Sequence, residues 1–396
     1  MKIVAGLLLA VLVLTSGWAC VAPDGKMRII TEDNPPYNFP DERGNITGQS
    51  TEIVRSLMSK MGSDAAIELM PWSRGYDTVQ NQPNSMIYST GRMPFREQMF
   101  KWVGPIGFAD EWFYAKRGAD IKVSSLDDAK KVKSIAVYKD DSNQLYLIEK
   151  GFTNLDVSEN DVQCIKKLNE GKVDLWLGPS EGFHFLAYQA GINPAEIEPV
   201  SYVRRADWYL AFNRQTADTT IGAWQTALDE MKKRDKPDAL SVYDDIITSY
   251  ALPRYTADGV AKEAVIQLAE KTAGDIAADT AGTFRKINAG QSPYRDKDRP
   301  DLYVYVFDKY VTEAANANNA SVVGRNLKGV PDMAGRLFRD NIVEGALKNG
   351  TGWEDYVFTM PGKIGLFYKS VYYKLVTGSD GKQYVVCVGR YKDKQE

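Results

Sequence analysis

The sequence predicts an α/β chain built as two units, a larger two-lobe unit of alternating strands and helices and a smaller α+β unit behind it. Three observations carry this. A strand–loop–helix–strand pattern opens at residue 27 and starts again from Ser124, as two α/β lobes require. The run SYALPRY at 249–255 then ends that pattern, with Pro253 breaking the helix before it. Beyond it the chain turns Ala- and Thr-rich and afterwards aromatic, the composition of a long helix feeding a sheet.

In order, residues 27–31 read as a strand ending at Pro35-Pro36-Tyr37. Residues 50–61 form an amphipathic helix with Ile53, Leu57 and Met61 four apart. Residues 67–70 and 86–88 are strands, and 111–115 leaves toward the second lobe. There Ser125, followed by Asp128, is a capping signal. Residues 134–137 and 173–177 are strands, and Asp140-Asp141-Ser142 opens a helix whose free N–H groups predict an anion cradle. Residues 209–212 return to the first lobe. The crossings at 114–118 and 203–208 make a two-strand hinge. In the second unit, Val260 to Phe284 and Ala261 to Ala281 form two rows at four-residue spacing, which predicts one helix of ~45–50 Å at 1.5 Å per residue. Its alanines suit close packing on a sheet. Residues 302–308, 363–375 and 383–390 supply the strands, the last two joined through Gly378-Ser379-Asp380-Gly381.

Bulk properties narrow the function. The chain has 396 residues, too many for one ordinary domain. A formal net charge of −3 points away from nucleic acid, and a single histidine, His184, excludes a multi-histidine metal site. Residues 1–22 read as an export signal: Lys2, an apolar run at 3–14, then Gly17-Trp18-Ala19 ahead of Cys20. A cysteine in that place resembles a lipoprotein site, so lipidation at Cys20 is placed ahead of plain cleavage. Cys164 and Cys387 then remain, in different units, and read as buried free thiols.

Residues 71–106 hold the most specific chemistry, with Arg74, Arg92 and Arg96 beside Tyr76, Tyr88 and Trp102 and no nucleophile–base pair. A guanidinium fork matches a carboxylate, and aromatic faces cover the rest of a small ligand. Pro71-Trp72, Arg74 and Tyr76, then Arg92-Met93-Pro94-Phe95-Arg96-Glu97, then Phe100, Trp102, Val103, Gly104 and Pro105 carry a resemblance. So do Asn34-Pro35-Pro36-Tyr37-Asn38-Phe39, Gly44 and Thr47-Gly48. Over about 27–250 the chain resembles the extracellular solute-binding proteins of amino-acid-type ABC importers, family 3. The resemblance implies a type II periplasmic-binding-protein fold over 26–250, with lobe 1 at about 26–115 and 206–250 and lobe 2 at about 116–205.

By that resemblance Arg96 binds a ligand carboxylate. Met93 stands where the family has threonine, so Thr90 or Ser89 supplies the hydroxyl, and Tyr37, Phe39 and Trp72 sandwich the ligand. Arg74 either assists or pairs with Asp77. Ser142 meets the ligand from lobe 2. The acidic residue that grips an α-ammonium group follows the strand at 173–177; the chain reads Gly178-Pro179-Ser180-Glu181 there, which leaves Glu181 as the substitute. The carboxylate half of such a site is matched and the amine half departs from the pattern.

Residues 251–396 carry Val323-Gly324-Arg325-Asn326-Leu327, Asp332 to Gly335, Gly350-Thr351-Gly352-Trp353, and Lys369 with Tyr372-Tyr373. These resemble the single Cache family of extracytoplasmic sensor domains, an α+β, PAS-like fold. Ligands of that family sit on the concave sheet face, which implies Tyr303 (or Tyr305), Trp353, Tyr356 and Lys369 as candidates, against ordinary sheet packing for each.

The expected function is extracytoplasmic capture of a small carboxylate-bearing solute, an amino acid or a relative, by hinge closure, for ABC-type uptake or sensing. Neither a cofactor nor a metal is expected. The expected partners are a membrane permease or receptor and the membrane itself, through lipid on Cys20. Two rival classes are a sensory adaptor without transport and a dehydratase-like enzyme, for which Glu181 with Asp141 is the loose acid–base pair.

Overall fold

In the computed structural model the described residues are 27–393, without Glu42, Pro237, Asp238, Leu252, Asp258, Pro300, Pro331, Met333 and Gly362. The export signal and Cys20 lie outside them.

The first unit is organised by one eight-stranded mixed sheet. Its first half is β1 (Arg28–Thr31), the small hairpin β2 (Phe39–Pro40) and β3 (Ile46–Thr47), α1 (Gln49–Lys60), β4 (Ile67–Leu69), α2 (Trp72–Asn81) and β5 (Ser85–Gly91). There follow β6 (Phe100–Lys116), α3 (Leu126–Ala129), β7 (Ile135–Tyr138), α4 (Ser142–Glu149), β8 (Leu155–Ser158), α5 (Asp161–Asn169), β9 (Leu175–Pro179) and α6 (Phe183–Gln189). β10 (Ile197–Asn213), α7 (Asp218–Met231) and α8 (Val242–Ala251) complete it. The strand order is β4-β1-β5-β10-β6-β9-β7-β8. Strands β6 and β10, 17 residues each, pair antiparallel from Ile197 with Lys116 to Asn213 with Phe100. They run through both halves as one long ribbon, and the expected return crossing, 203–208, falls in its middle; the outward crossing lies opposite, at 107–111, and not at 114–118, where Tyr114 already pairs with Trp176 in lobe 2. The parallel strands β4, β1 and β5 lie on one side of it, lobe 1, and β9, β7 and β8 on the other, lobe 2.

In the first unit, the arginine-bearing segment after Pro71, to which the sequence reading gave no helix, is the helix α2. Trp72, Gly75 and Val79 are buried along one stripe of it, the spacing of a half-buried helix. Arg74 falls on the opposite, exposed side.

The second unit contains α9 (Lys262–Ala278), α10 (Thr280–Asn288), β11 (Val304–Asp308), β12 (Glu313–Asn316), α11 (Phe338–Asn349), β13 (Thr351–Thr359), β14 (Leu366–Thr377) and β15 (Gln383–Tyr391). Its sheet is antiparallel, in the order β12-β11-β15-β14-β13. The alanine row packs over its first half: Val265, Ala269 and Ala273 are buried, with Ile276 of the neighbouring row, while Ala277 and Ala281 are exposed; α9 lies on β14 and β15. The single long helix does not form. Asp279, at φ −151° and ψ 89°, breaks it, and its side chain caps the next turn by accepting from Gly282 N at 2.9 Å. Strand β13 was not expected from sequence, where its start, Gly350 to Trp353, served only as a motif.

Lobe 1 and the second unit share a core. Val357 and Leu366 belong to the same packed cluster as Leu57, Trp224 and Tyr250, and each such side chain contributes about 1.5–3 kcal/mol when fully buried. Arg254 N donates to Leu366 O at 2.8 Å and Tyr368 N to Arg254 O at 3.0 Å, so the linker extends the second sheet. Gly365, at φ +103°, allows this approach, since a Cβ there would lie 2.7 Å from Ser249 Cβ. The hairpin loop joins in through Arg43 Nε, which donates to Asn318 Oδ1 at 2.8 Å. Cys164 and Cys387 are buried free thiols.

Candidate functional site

The lobes meet over a cavity of about 260 Å³. It opens beyond the carboxyl ends of β1, β5, β7 and β9, where parallel strands hand the chain to loops and helix starts. Several bonds cross between the lobes. Arg96 Nη2 donates to Asp140 O at 2.8 Å, Trp72 Nε1 to the same oxygen at 3.3 Å, and Tyr138 OH to Glu32 Oε2 at 3.4 Å. Asp140 sits at φ 58° in the left-handed region, which an aspartate tolerates. Gly91 touches Ser142 across the gap: a Cβ on Gly91 would lie 2.8 Å from Ser142 Cβ.

Arg96 is 1% exposed and lines this cavity. Its Nη1 donates to Gly91 O at 3.0 Å and its Nη2 to Asp140 O. The guanidinium also lies 5.0 Å from the Tyr76 ring and 5.6 Å from that of Trp72. Only Nε is left without a hydrogen-bond partner. Backbone oxygens therefore take one N–H of each Nη of the fork that the sequence reading assigned to a ligand carboxylate, and one of those bonds ties lobe to lobe.

The anion cradle at the start of α4 is also filled. Asp141 Oδ1 accepts from Asn143 N at 2.9 Å and Gln144 N at 2.8 Å, so the helix provides its own negative charge.

What the cavity does offer is carboxylates. Glu32, Asp33, Glu111, Asp141 and Asp161 line it, against Arg96 as the single lining cation. Glu111 is 1% exposed on β6, with Oε2 accepting from Asn143 Nδ2 at 2.9 Å. Burial pushes its carboxyl up to about 8 against the opposing pull of Arg204. Burial, then Asp161 and Asp141, pushes Glu32 up to about 8. Burial and Asp141 raise Asp161 to about 7, and burial raises Asp141 to about 6. Glu32, Asp141 and Asp161 keep partial exposure, whereas Glu111 is buried. Tyr37, Trp72, Tyr138 and Trp208 supply aromatic walls. Among the described residues no group of carboxylates, thiols or imidazole stands close enough to hold a metal ion.

Of the residues expected from sequence, Tyr37, Trp72, Ser89, Arg96, Asp141 and Ser142 come together here, with Ser89 Oγ donating to Asn38 Oδ1 at 2.6 Å. The remaining candidates lie elsewhere. Phe39 lines a second cavity instead. Arg74 is exposed on the outside of α2, and Asp77 accepts from Asn81. Thr90 is fully buried and donates to Ile87 O at 3.4 Å. Glu181 lies behind the cavity, accepting from Asp110 N at 3.1 Å and Ser180 Oγ at 2.9 Å. Its separation from the cleft also leaves the Glu181–Asp141 acid–base pair without a shared site. Arg92 is held outside by Glu97, over Trp102 and Tyr209.

In the second unit Tyr303 and Tyr305 line the second cavity, while Trp353, Tyr356 and Lys369 do not. Lys369 is fully buried, donates to Tyr303 OH at 2.8 Å and lies over the rings of Tyr303, Tyr356 and Tyr391. Tyr356 stacks on Phe338 at 4.0 Å, and Trp353 packs against Tyr372. These three are sheet packing.

Two families match the chain. The bacterial extracellular solute-binding proteins, family 3, match residues 27–242, and the single Cache domain 2 matches residues 261–394. No curated protein matches. Among solved structures, a histidine kinase sensor domain with similarity to periplasmic binding proteins is 17% identical, covering 52% of this chain and 90% of its own, at a TM-score of 0.47. An ancestral arginine-binding protein bound to arginine is 20% identical, covering 57% and 97%, at 0.48. The holo arginine-binding protein of T. maritima is 15% identical, covering 56% and 94%, at 0.46.

Proposed function

Because the chain belongs to the bacterial extracellular solute-binding proteins of family 3 and carries a single Cache domain behind that unit, we propose that it captures a small organic cation outside the cytoplasmic membrane by closing its lobes. The observation that carries this reading is the imbalance of five lining carboxylates to one arginine that already bonds two backbone oxygens. A buried carboxylate is costly unless paired, and an ammonium or guanidinium group among Glu32, Glu111 and Asp161 relieves that cost. Tyr37, Trp72 and Trp208 cover such a cation with ring faces. A carboxylate on the same ligand has Arg96 Nε and Trp208 Nε1 as buried donors without a partner, which fits an amino acid with a basic side chain better than a dicarboxylate.

Closure presents a changed outer surface to a membrane partner, a permease for uptake or a receptor for sensing, with the chain held at the membrane through lipid on Cys20. Pull-down from solubilised membranes with and without ligand separates the two partners. The ligand class is tested by calorimetry on the full chain with L-arginine, L-lysine and putrescine against L-glutamate and succinate. Binding of the cations alone is expected. Tighter binding of glutamate or succinate sinks the proposal.

A further inference from the structure

The hinge ribbon sets a second arginine beside Glu111, the most buried acid of the cleft. Arg204 of β10 is the direct cross-strand partner of Glu111 on β6, and residues opposed in this way share a face of the ribbon. The pairing depends on a bulge. The register steps from Tyr202 opposite Trp112 to Arg204 opposite Glu111, which leaves Val203 as an extra residue. Such a bulge re-aims the side chains around it; without it, Val203 would stand opposite Glu111. Arg204 is half-buried and is not among the residues that line the cavity.

The guanidinium of Arg204 grips the lobe 2 lip of the cleft. Its Nη2 donates to Ser142 O and Ser142 Oγ, both at 3.2 Å, and to Asn143 Oδ1 at 3.0 Å. The group also lies 4.6 Å from the Tyr146 ring. Asn143 Nδ2 in turn donates to Glu111 Oε2 at 2.9 Å, so arginine, amide and acid close a ring. The same turn carries Asp140 O, which accepts from Arg96 and Trp72 of lobe 1. One hinge residue thus bears on both the buried acid and the turn that clasps the opposite lobe.

We propose that Arg204 is a positioning residue for the cation site: it holds the first turn of α4 against the hinge and keeps a fixed positive charge beside Glu111, so that Glu111 ionises when a ligand cation arrives. This rests on the cation reading of the cleft. A positive charge next to a cation site looks adverse, and distance decides the balance. A neutral carboxylic acid attracts a cation weakly. Burial pushes Glu111 toward that form, and Arg204 pulls it the other way. Asp141 ahead of α4 and Asp161 at the start of α5 also oppose its ionisation, and Tyr37 and Tyr114 are the phenols beside it. Arg204 pairs with Glu111 directly, whereas a ligand sits in a cavity that Arg204 does not line. The attraction within the pair therefore exceeds the repulsion toward the ligand.

The test is calorimetry of the full chain with L-arginine from pH 6 to 9, in wild type, Arg204→Met and Arg204→Lys. If Arg204 only repels the ligand, Arg204→Met binds more tightly. The proposal expects the reverse at pH 7, where Arg204→Met should bind about tenfold or more weakly. That deficit should shrink toward pH 9, as Glu111 comes to ionise without help. Arg204→Lys keeps the charge and is expected to keep the wild-type pH profile. Tighter binding by Arg204→Met at pH 7, a deficit of equal size at every pH, or a lysine variant that behaves like the methionine one overturns the proposal. A second reading needs no ligand. Carbon-13 spectra of the Glu111 carboxyl, assigned with Glu111→Gln, should show it titrating at higher pH in ligand-free Arg204→Met than in wild type, and an unmoved titration overturns the proposal. Should Arg204→Met fail to fold, Arg204→Gln takes its place in both measurements. If L-arginine does not bind wild type, the cation reading falls alone, and the Glu111 titration decides the role of Arg204.

Discussion

Proton release on ligand capture is the sharpest consequence of the cleft. Glu111 and Glu32 have carboxyls pushed up to about 8, chiefly by burial, so in the empty closed cleft both hold their protons at pH 6.5. A cation seated between them favours the ionised forms and expels those protons. The complex then holds fewer protons than the free protein, and affinity must rise with pH. Each group that goes from fully protonated to fully ionised gives about tenfold per pH unit, ~1.4 kcal/mol. Between one and two protons per L-arginine are expected near pH 6.5, falling toward zero above about pH 9. The assay is calorimetry in two buffers of different ionisation enthalpy, repeated from pH 6 to 9. Glu111→Gln keeps an acceptor for Asn143 Nδ2 but has no proton to lose, so its release should fall by about one. An affinity independent of pH over this range, or proton uptake, would refute the carboxylate-lined site as the place of binding.

Three further outcomes follow from the geometry. Gly91→Ala places a Cβ 2.8 Å from Ser142 Cβ, and overpacking of this kind costs about 1–3 kcal/mol; ligand affinity measured by calorimetry should drop about tenfold or more while the unfolding temperature holds. Arg96→Met removes the bond to Asp140 O that ties the lobes, worth about 1.5–3 kcal/mol for a charged donor, so small-angle scattering should show a more open molecule. Asp279→Ala removes the cap on Gly282 N, and denaturant unfolding of the second unit should lose about 1 kcal/mol, with the cleft's affinity unchanged.

Much of the fold was legible because periodicity reports burial directly. Ile53 and Leu57 at four-residue spacing are buried along α1, and Ser125 does cap α3 by accepting from Asp128 N. What stayed hidden depended on partners far away in sequence. Asp279 reads as one polar residue in an apolar row, and its ability to end α9 becomes visible only where Ser379 Oγ accepts from Thr280 N across 99 residues. The α2 helix buries only Trp72, Gly75 and Val79 among polar neighbours, a stripe too short to stand out as periodicity.

The surroundings of Arg96 were hidden for a related reason. Side chains announce their chemistry in a sequence, whereas main-chain oxygens do not. Arg96 invites a carboxylate because no carboxylate stands next to it in the chain, yet its Nη donors are met by Gly91 O and Asp140 O, acceptors that every residue possesses. Glu32, Glu111, Asp141 and Asp161 lie on four separate elements and, taken singly, look like a strand end, a hinge strand and two helix starts. One signal was present: acidic residues recur where strands end or helices begin, at 32–33, 140–141 and 161, which are the positions that doubly wound lobes turn toward their cleft. Taken together, those positions give the carboxyl-rich lining on which the proposed cation site rests.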